Sequence, residues 1–124
     1  MAIDGARIQR VTQEGLFYLD ESGEEAFIDF AECCERRLAE FMRPENLKKF
    51  REANPGSTKE ELDESIEGQK NWKIVGYCDT SMTPHYLTFY ADPSIHFEFS
   101  TLAELLQVRA FMRRNGRWIT RNFS

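Results

Sequence analysis

The sequence predicts an α+β fold in which a single, mostly antiparallel sheet carries helices packed on one face. Short segments that alternate apolar and polar residues are typical of half-buried strands. Longer segments with an apolar residue every three or four positions are typical of amphipathic helices. Turn-forming residues separate these segments. In chain order they predict β-β-β-α-(α-α)-β-β-β-α-β, and a length of 124 residues predicts one domain, 1–124.

The first third of the chain is predicted to contain three short strands and a helix. The strands lie at 6–12, at 15–20 and around 26–28. Asp29 is then suited to cap a helix, because its carboxylate can accept hydrogen bonds from the first free amides. The apolar stripe of this helix comprises Phe30, Cys34, Leu38 and Phe41. We therefore expect Cys34 to be a small buried apolar residue.

Residues 43–71 are predicted to form a lightly anchored helical arm. They contain few large apolar residues, namely Leu47, Phe50, Leu62 and Ile66. Two short helices are expected, at 45–53 and at 58–67, and Thr58 and Glu61 have the spacing of a capping box at the start of the second. Because the second helix is rich in glutamate, the arm is expected to be acidic.

The last part of the chain is predicted to supply most of the sheet. Strands are expected at 72–78, 86–90 and 95–99, where β-branched and aromatic residues concentrate. A helix at 101–115 follows, with a capping box at its start and Asn-Gly at its end. A final strand at 117–123 returns to the sheet.

Composition and charge exclude several function classes. The net charge of −5 makes nucleic acid an unlikely partner, since binding it requires a cationic surface. No apolar run approaches the roughly 18 residues of a membrane span, so no membrane association is expected. Three cysteines, two of them adjacent, are poor material for a disulfide framework and favour a cytoplasmic location. No glycine-rich phosphate loop is present, and no cofactor is predicted.

An arginine on the apolar side of the last helix is the strongest functional signal. The predicted core-facing stripe comprises Leu102, Leu105, Leu106, Val108 and Met112. Arg109 projects from the middle of this stripe and must be paired, because a guanidinium keeps its charge when buried. The partner is expected to be an internal carboxylate of Glu98, Asp79 or Asp92, or an anion on a ligand or a second protein.

The leading functional prediction is a non-catalytic interaction protein, such as a small bacterial or phage inhibitor or immunity-type accessory protein. The arginine-rich end and the acidic arm would provide its binding surfaces. The alternative is a binder of an anionic small molecule or nucleotide through Arg109, Arg113 and aromatic rings. The candidate binding residues are Arg109, Arg113, Arg117, Arg121, Tyr86 and Tyr90. Abundant aromatic residues and exposed strand edges also predict a homodimer.

A second alternative is a small cysteine/histidine enzyme. Cys78, Asp79, His85 and His96 are the residue types that a thiol nucleophile or a metal site requires. Their spacing matches neither a zinc motif nor a nucleophile elbow. We therefore predict no catalytic residue and no metal ligand.

Overall fold

The described residues form eight strands and four helices. The computed structural model describes residues 1–71 and 73–122, with the backbone alone at 121 and 122. The elements are β1 (Ala2–Asp4), β2 (Ile8–Val11), β3 (Gly15–Leu19), β4 (Glu25–Asp29), α1 (Phe30–Phe41), α2 (Pro44–Ala53), α3 (Lys59–Asn71), β5 (Ile74–Asp79), β6 (His85–Phe89), β7 (Asp92–Phe99), α4 (Leu102–Arg114) and β8 (Trp118–Asn122). The α+β class is confirmed, and so is the predicted order after the additional first strand β1. Trp72 and Phe123, which were expected to begin and end strands, lie outside the described residues.

The strands form two sheets, whereas a single sheet was predicted. The larger sheet has the order β1-β7-β6-β5-β8, and the smaller one has the order β2-β3-β4. The centre of the larger sheet is antiparallel, while β1 and β8 pair in parallel with its two edges. The prediction of one sheet was wrong because alternation identifies a strand without identifying its neighbour. A short 3₁₀ turn at Gly5–Arg7 separates β1 from β2, so that each joins a different sheet.

One face of the five-stranded sheet forms the core. Leu87 and Phe97 are opposite each other on β6 and β7 and are fully buried. The Phe97 ring meets the edge of Tyr18 from the small sheet at a centroid distance of 5.1 Å. Phe89 lies 6.1 Å from Phe30, the first residue of α1. The two sheets and the start of α1 thus share one aromatic core, which α4 also enters through Leu105 and Met112.

The helix caps agree with the sequence. The Asp29 carboxylate accepts from the amide of Ala31 at 2.9 Å, and the Thr101 hydroxyl accepts from the amide of Glu104 at 3.3 Å. Gly116 ends the last helix region with a φ of 76°, a conformation that glycine adopts without strain. None of the helices in the described part of the chain combines the length and apolarity needed to cross a bilayer.

The buried cysteine of α1 is Cys33, and not Cys34 as predicted. Cys33 is fully buried in the core, whereas Cys34 is half-buried. The predicted apolar stripe took the residue four positions after Phe30, which is Cys34. In the structure the face of α1 that meets the sheet contains Phe30 and the residue three positions later, Cys33. Burial raises the pKa of the Cys33 thiol to about 11, which keeps it neutral at physiological pH.

The segment 43–71 contacts the rest of the protein at few points. All of its residues are described, and among them only Ile66 is buried. The Phe50 ring meets the edge of the Phe41 ring of α1 at 5.5 Å. Arg37 of α1 donates to the side chain and the carbonyl of Gln69. That this segment is a lightly anchored arm, and that the whole chain is one domain, stay predictions.

Replacing Phe97 by alanine should destabilise the protein by about 3–5 kcal/mol, because the ring is fully buried between the two sheets. Phe27→Ala is the matched control, since that ring is exposed on the small sheet and its loss should cost about 1 kcal/mol or less. Urea unfolding measures both. Equal losses would contradict the assignment of the core.

Candidate functional site

The exposed apolar side of α4 is the first feature of the candidate site. Leu105 and Met112 are fully buried, but Leu102 and Leu106 are 39% and 43% exposed. The face of α4 that meets the core is therefore centred on Leu105 and Met112, and not on the middle of the predicted stripe. The prediction that Leu102 and Leu106 belong to the core was wrong, because periodicity marks an apolar face without fixing how much of it the core covers.

Arg109 lies at the boundary between the buried and the exposed parts of α4. It is half-buried, and the described residues provide it with neither an ion pair nor a hydrogen bond. The expected pairing with Glu98, Asp79 or Asp92 does not form among the described residues. The reason is this orientation of α4, which lets a long side chain carry its guanidinium out of the core.

Arg113 and Trp118 extend this surface beyond the end of α4. The Arg113 guanidinium lies 4.6 Å from the centre of the Trp118 ring, which is a cation–π contact. The Trp118 side chain is itself 47% exposed. We call this surface the α4 flank, and it comprises Leu102, Leu106, Arg109, Arg113 and Trp118.

Arg117, another predicted binding residue, connects three parts of the fold through its side chain. Its guanidinium donates to the carbonyl of Gln13 from Nε at 3.3 Å and from Nη2 at 2.9 Å. It also lies 5.7 Å from the centre of the Phe30 ring, and its charge partly offsets the rise that burial causes in the pKa of the Cys34 thiol. These contacts connect the start of β8 with the β2–β3 turn and with α1. The side chain of Arg121 lies outside the described residues.

Tyr86 lies on the opposite side of the large sheet from α4, and Tyr90 packs against Tyr77. Tyr86 is on the face of the large sheet opposite the core, where its ring meets the His96 ring at 6.0 Å. Tyr90 follows β6, where its ring lies 5.6 Å from the Tyr77 ring, and burial raises the pKa of its phenol. The structure therefore places Arg109 and Arg113 one helical turn apart on α4 and places Tyr86 on the other side of the sheet.

Arg37 is a half-buried arginine that the sequence reasoning missed. Burial lowers the pKa of its guanidinium, which lies near Tyr90 and donates to Gln69. Its position seven residues after Phe30, on the same face of α1, is the signal that could have identified it. Its contacts connect α1 with α3, so Arg37 has a structural role in this part of the fold.

The cysteine and histidine residues do not assemble into a reactive group. Cys78 is 1% exposed and points into the core, opposite Leu87. His96 lies on the other face of the sheet, where its Nδ1 is 2.7 Å from the Thr88 hydroxyl. Within residues 1–71 and 73–122, no group of three or more histidine, cysteine or acidic residues is placed to hold a metal ion. The cysteine/histidine enzyme therefore has no geometric support among the described residues.

Comparisons with protein families, with curated proteins and with solved structures find no match to this chain.

Iodoacetamide should alkylate Cys34 before Cys33 and Cys78, because Cys34 is the only half-buried thiol of the three. Burial raises the pKa of both the Cys33 and the Cys34 thiol, so the expected order follows from the greater access of the reagent to Cys34. Peptide mass spectrometry of the folded protein at pH 8 measures the order. Rapid labelling of Cys78 would contradict the structure and favour a nucleophilic thiol.

Arg117→Met should destabilise the protein by about 1 kcal/mol, because the charged hydrogen bonds to the Gln13 carbonyl are lost while the aliphatic stem is retained. Arg114→Met is the control, since Arg114 is exposed and contacts the Phe111 ring at 5.7 Å. Thermal unfolding compares the two variants. An unchanged midpoint for Arg117→Met would show that this arginine does not connect the elements.

Proposed function

We propose that the protein is a non-catalytic interaction protein and that its α4 flank binds an acidic partner protein. The observation that carries this proposal is the exposure of Leu102 and Leu106 beside Arg109, which has no ion pair among the described residues. A second protein that covered the leucines would bury apolar surface and could supply the missing carboxylate.

The composition of the α4 flank supports this role. Exposed leucines scattered singly are ordinary, but here two lie one helical turn apart on the helix that also carries Arg109 and Arg113. Tryptophan and arginine are enriched among the residues that contribute most to protein–protein binding. The Arg113 guanidinium on the Trp118 ring combines both types in one contact.

Charge selects the kind of partner. Positions 105–124 contain five arginines and no acidic residue, although the whole chain is acidic. Two copies that met flank to flank would bring Arg109 and Arg113 of each copy together, and like charges in an interface disfavour binding. A different protein with surface carboxylates avoids this repulsion. The predicted homodimer would require another surface.

The inhibitor or immunity-type role predicted from the sequence is one form of such binding. The α4 flank favours it over the small-anion alternative, because Tyr86 lies on the sheet face opposite the core that α4 enters and does not complete a pocket with Arg109 and Arg113. A protein partner needs no enclosed pocket, only an accessible apolar surface with matching charge.

Leu106→Asp and Arg109→Glu should each weaken partner binding at least about tenfold, because the first places a charge in the apolar contact and the second reverses the attraction. The immobilised protein is used to capture partners from native extract. The captured partner is then purified and titrated against each variant by calorimetry.

Met82→Asp and Arg51→Glu are the matched controls, since both residues are exposed and lie outside the α4 flank. The proposal predicts that both controls retain the partner and that all four variants unfold at a temperature close to that of the parent. Capture of the same protein by Leu106→Asp, or failure to retain any protein specifically, would contradict it.

A further inference from the structure

The open face of the five-stranded sheet contains a cavity with a character opposite to that of the α4 flank. Its volume is about 390 Å³, which is within the range of small-ligand sites. The side chains that form it include Tyr77, Asp79, Tyr86, Thr88, His96 and Glu98. The described side chains that line the cavity include no lysine or arginine, so among them aromatic rings are combined with carboxylates.

Strand register places the two carboxylates on either side of one ring. Asp79 of β5 is opposite Tyr86 of β6, and Tyr86 is opposite Glu98 of β7. Since neighbouring strands are about 4.8 Å apart, the backbones of Asp79 and Glu98 are roughly 10 Å apart. The row therefore has a carboxylate at each end and an aromatic ring between them.

Both carboxylates are available to a cation. One oxygen of Asp79 accepts from the amide and the hydroxyl of Ser81, at 2.9 Å and 2.6 Å, which fixes the group and lowers its pKa. Its other oxygen has no hydrogen bond to a described residue. Glu98 forms no hydrogen bond or ion pair within the described part of the chain, and it is opposite a third carboxylate, that of Asp4. Repulsion between neighbouring carboxylates favours a bound cation.

The aromatic side chains that line the cavity are held in place by contacts with their neighbours. The Thr88 hydroxyl holds His96 Nδ1 at 2.7 Å, and the His96 ring meets the Tyr86 ring at 6.0 Å. Tyr77 is held from outside the cavity by the Tyr90 ring at 5.6 Å. Aromatic faces attract organic cations and pack against methylene chains.

We propose that this cavity binds a linear aliphatic diamine, with one ammonium group at Asp79, the other at Glu98 and the methylene chain over Tyr86. A single metal ion does not suit the row, because carboxylates anchored roughly 10 Å apart do not converge on one ion at bonding distances of about 2.3–2.6 Å. A monoamine satisfies only one of the two carboxylates. The site lies on a different face from the α4 flank, so the two proposals stand independently.

The test is an NMR titration of the intact protein with putrescine, cadaverine and hexamethylenediamine, in parallel with butylamine, hexylamine and the uncharged hexanediol. The chain has two histidines, and a His85→Gln variant identifies the ring signals of His96 as a reporter inside the cavity. We expect at least one diamine to shift the His96 signals saturably. Its binding should be roughly three- to tenfold tighter than that of the monoamine of equal length, and weaker at high salt.

Asp79→Asn and Glu98→Gln should each reduce diamine affinity to that of the monoamine. Both keep the size of the side chain, and asparagine can still accept the Ser81 hydrogen bonds. Glu104→Gln is the matched control, because Glu104 lies on α4 away from this face, and it should leave diamine affinity unchanged. Equal affinity for monoamine and diamine, unchanged binding by Glu98→Gln in a folded protein, or no saturable shift at millimolar concentrations would overturn the proposal.

Discussion

The burial of a single face of the five-stranded sheet is the constraint on which the rest of the structure depends. Leu87 and Phe97 point into the core, so their strand neighbours Tyr86, His96 and Glu98 must point out of it. One core cluster takes side chains from both sheets, α1 and α4. Apart from the buried Thr88, the opposite face has half-buried polar and aromatic residues, which is why a cavity with carboxylates can form there.

The same constraint limits how much of α4 can be covered. Leu105 and Met112 fill the space that the core offers to this helix, and Leu102 and Leu106 remain outside. Two surfaces of opposite charge result, a cationic α4 flank and an anionic cavity, on different sides of the sheet. The acidic net charge of the chain conceals this division, because it sums over both surfaces.

The elements of the fold could be predicted from local sequence, and their arrangement could not. Periodicity and capping residues are local signals, and they identified the starts of α1 and α4 at Asp29 and Thr101. The partition into two sheets depends on contacts between distant segments, such as Ala2–Asp4 with β7. The orientation of each helix depends on the surface it meets. For this reason Cys33 is the buried cysteine of α1 where Cys34 was predicted, and Leu102 and Leu106 are exposed.

The candidate sites follow the same division between local and distant information. Arg109 and Tyr86 were identified as candidate binding residues, Arg109 because it interrupts an apolar stripe and Tyr86 because it is an aromatic residue on a predicted strand. Asp79 and Glu98 could not be assigned to one site with Tyr86, because only the register of three strands aligns them. The sequence therefore predicted an anion for the Tyr86 ring, which the fold places between two carboxylates.

Hydroxyl-radical footprinting of the folded protein tests the division of the sheet into a buried and an open face most directly. We expect strong oxidation of Trp118, measurable oxidation of the half-buried Tyr86, and protection of Phe89 and Phe97. Protection of Tyr86 together with oxidation of Phe97 would contradict it, because the two faces of the sheet would then be exchanged.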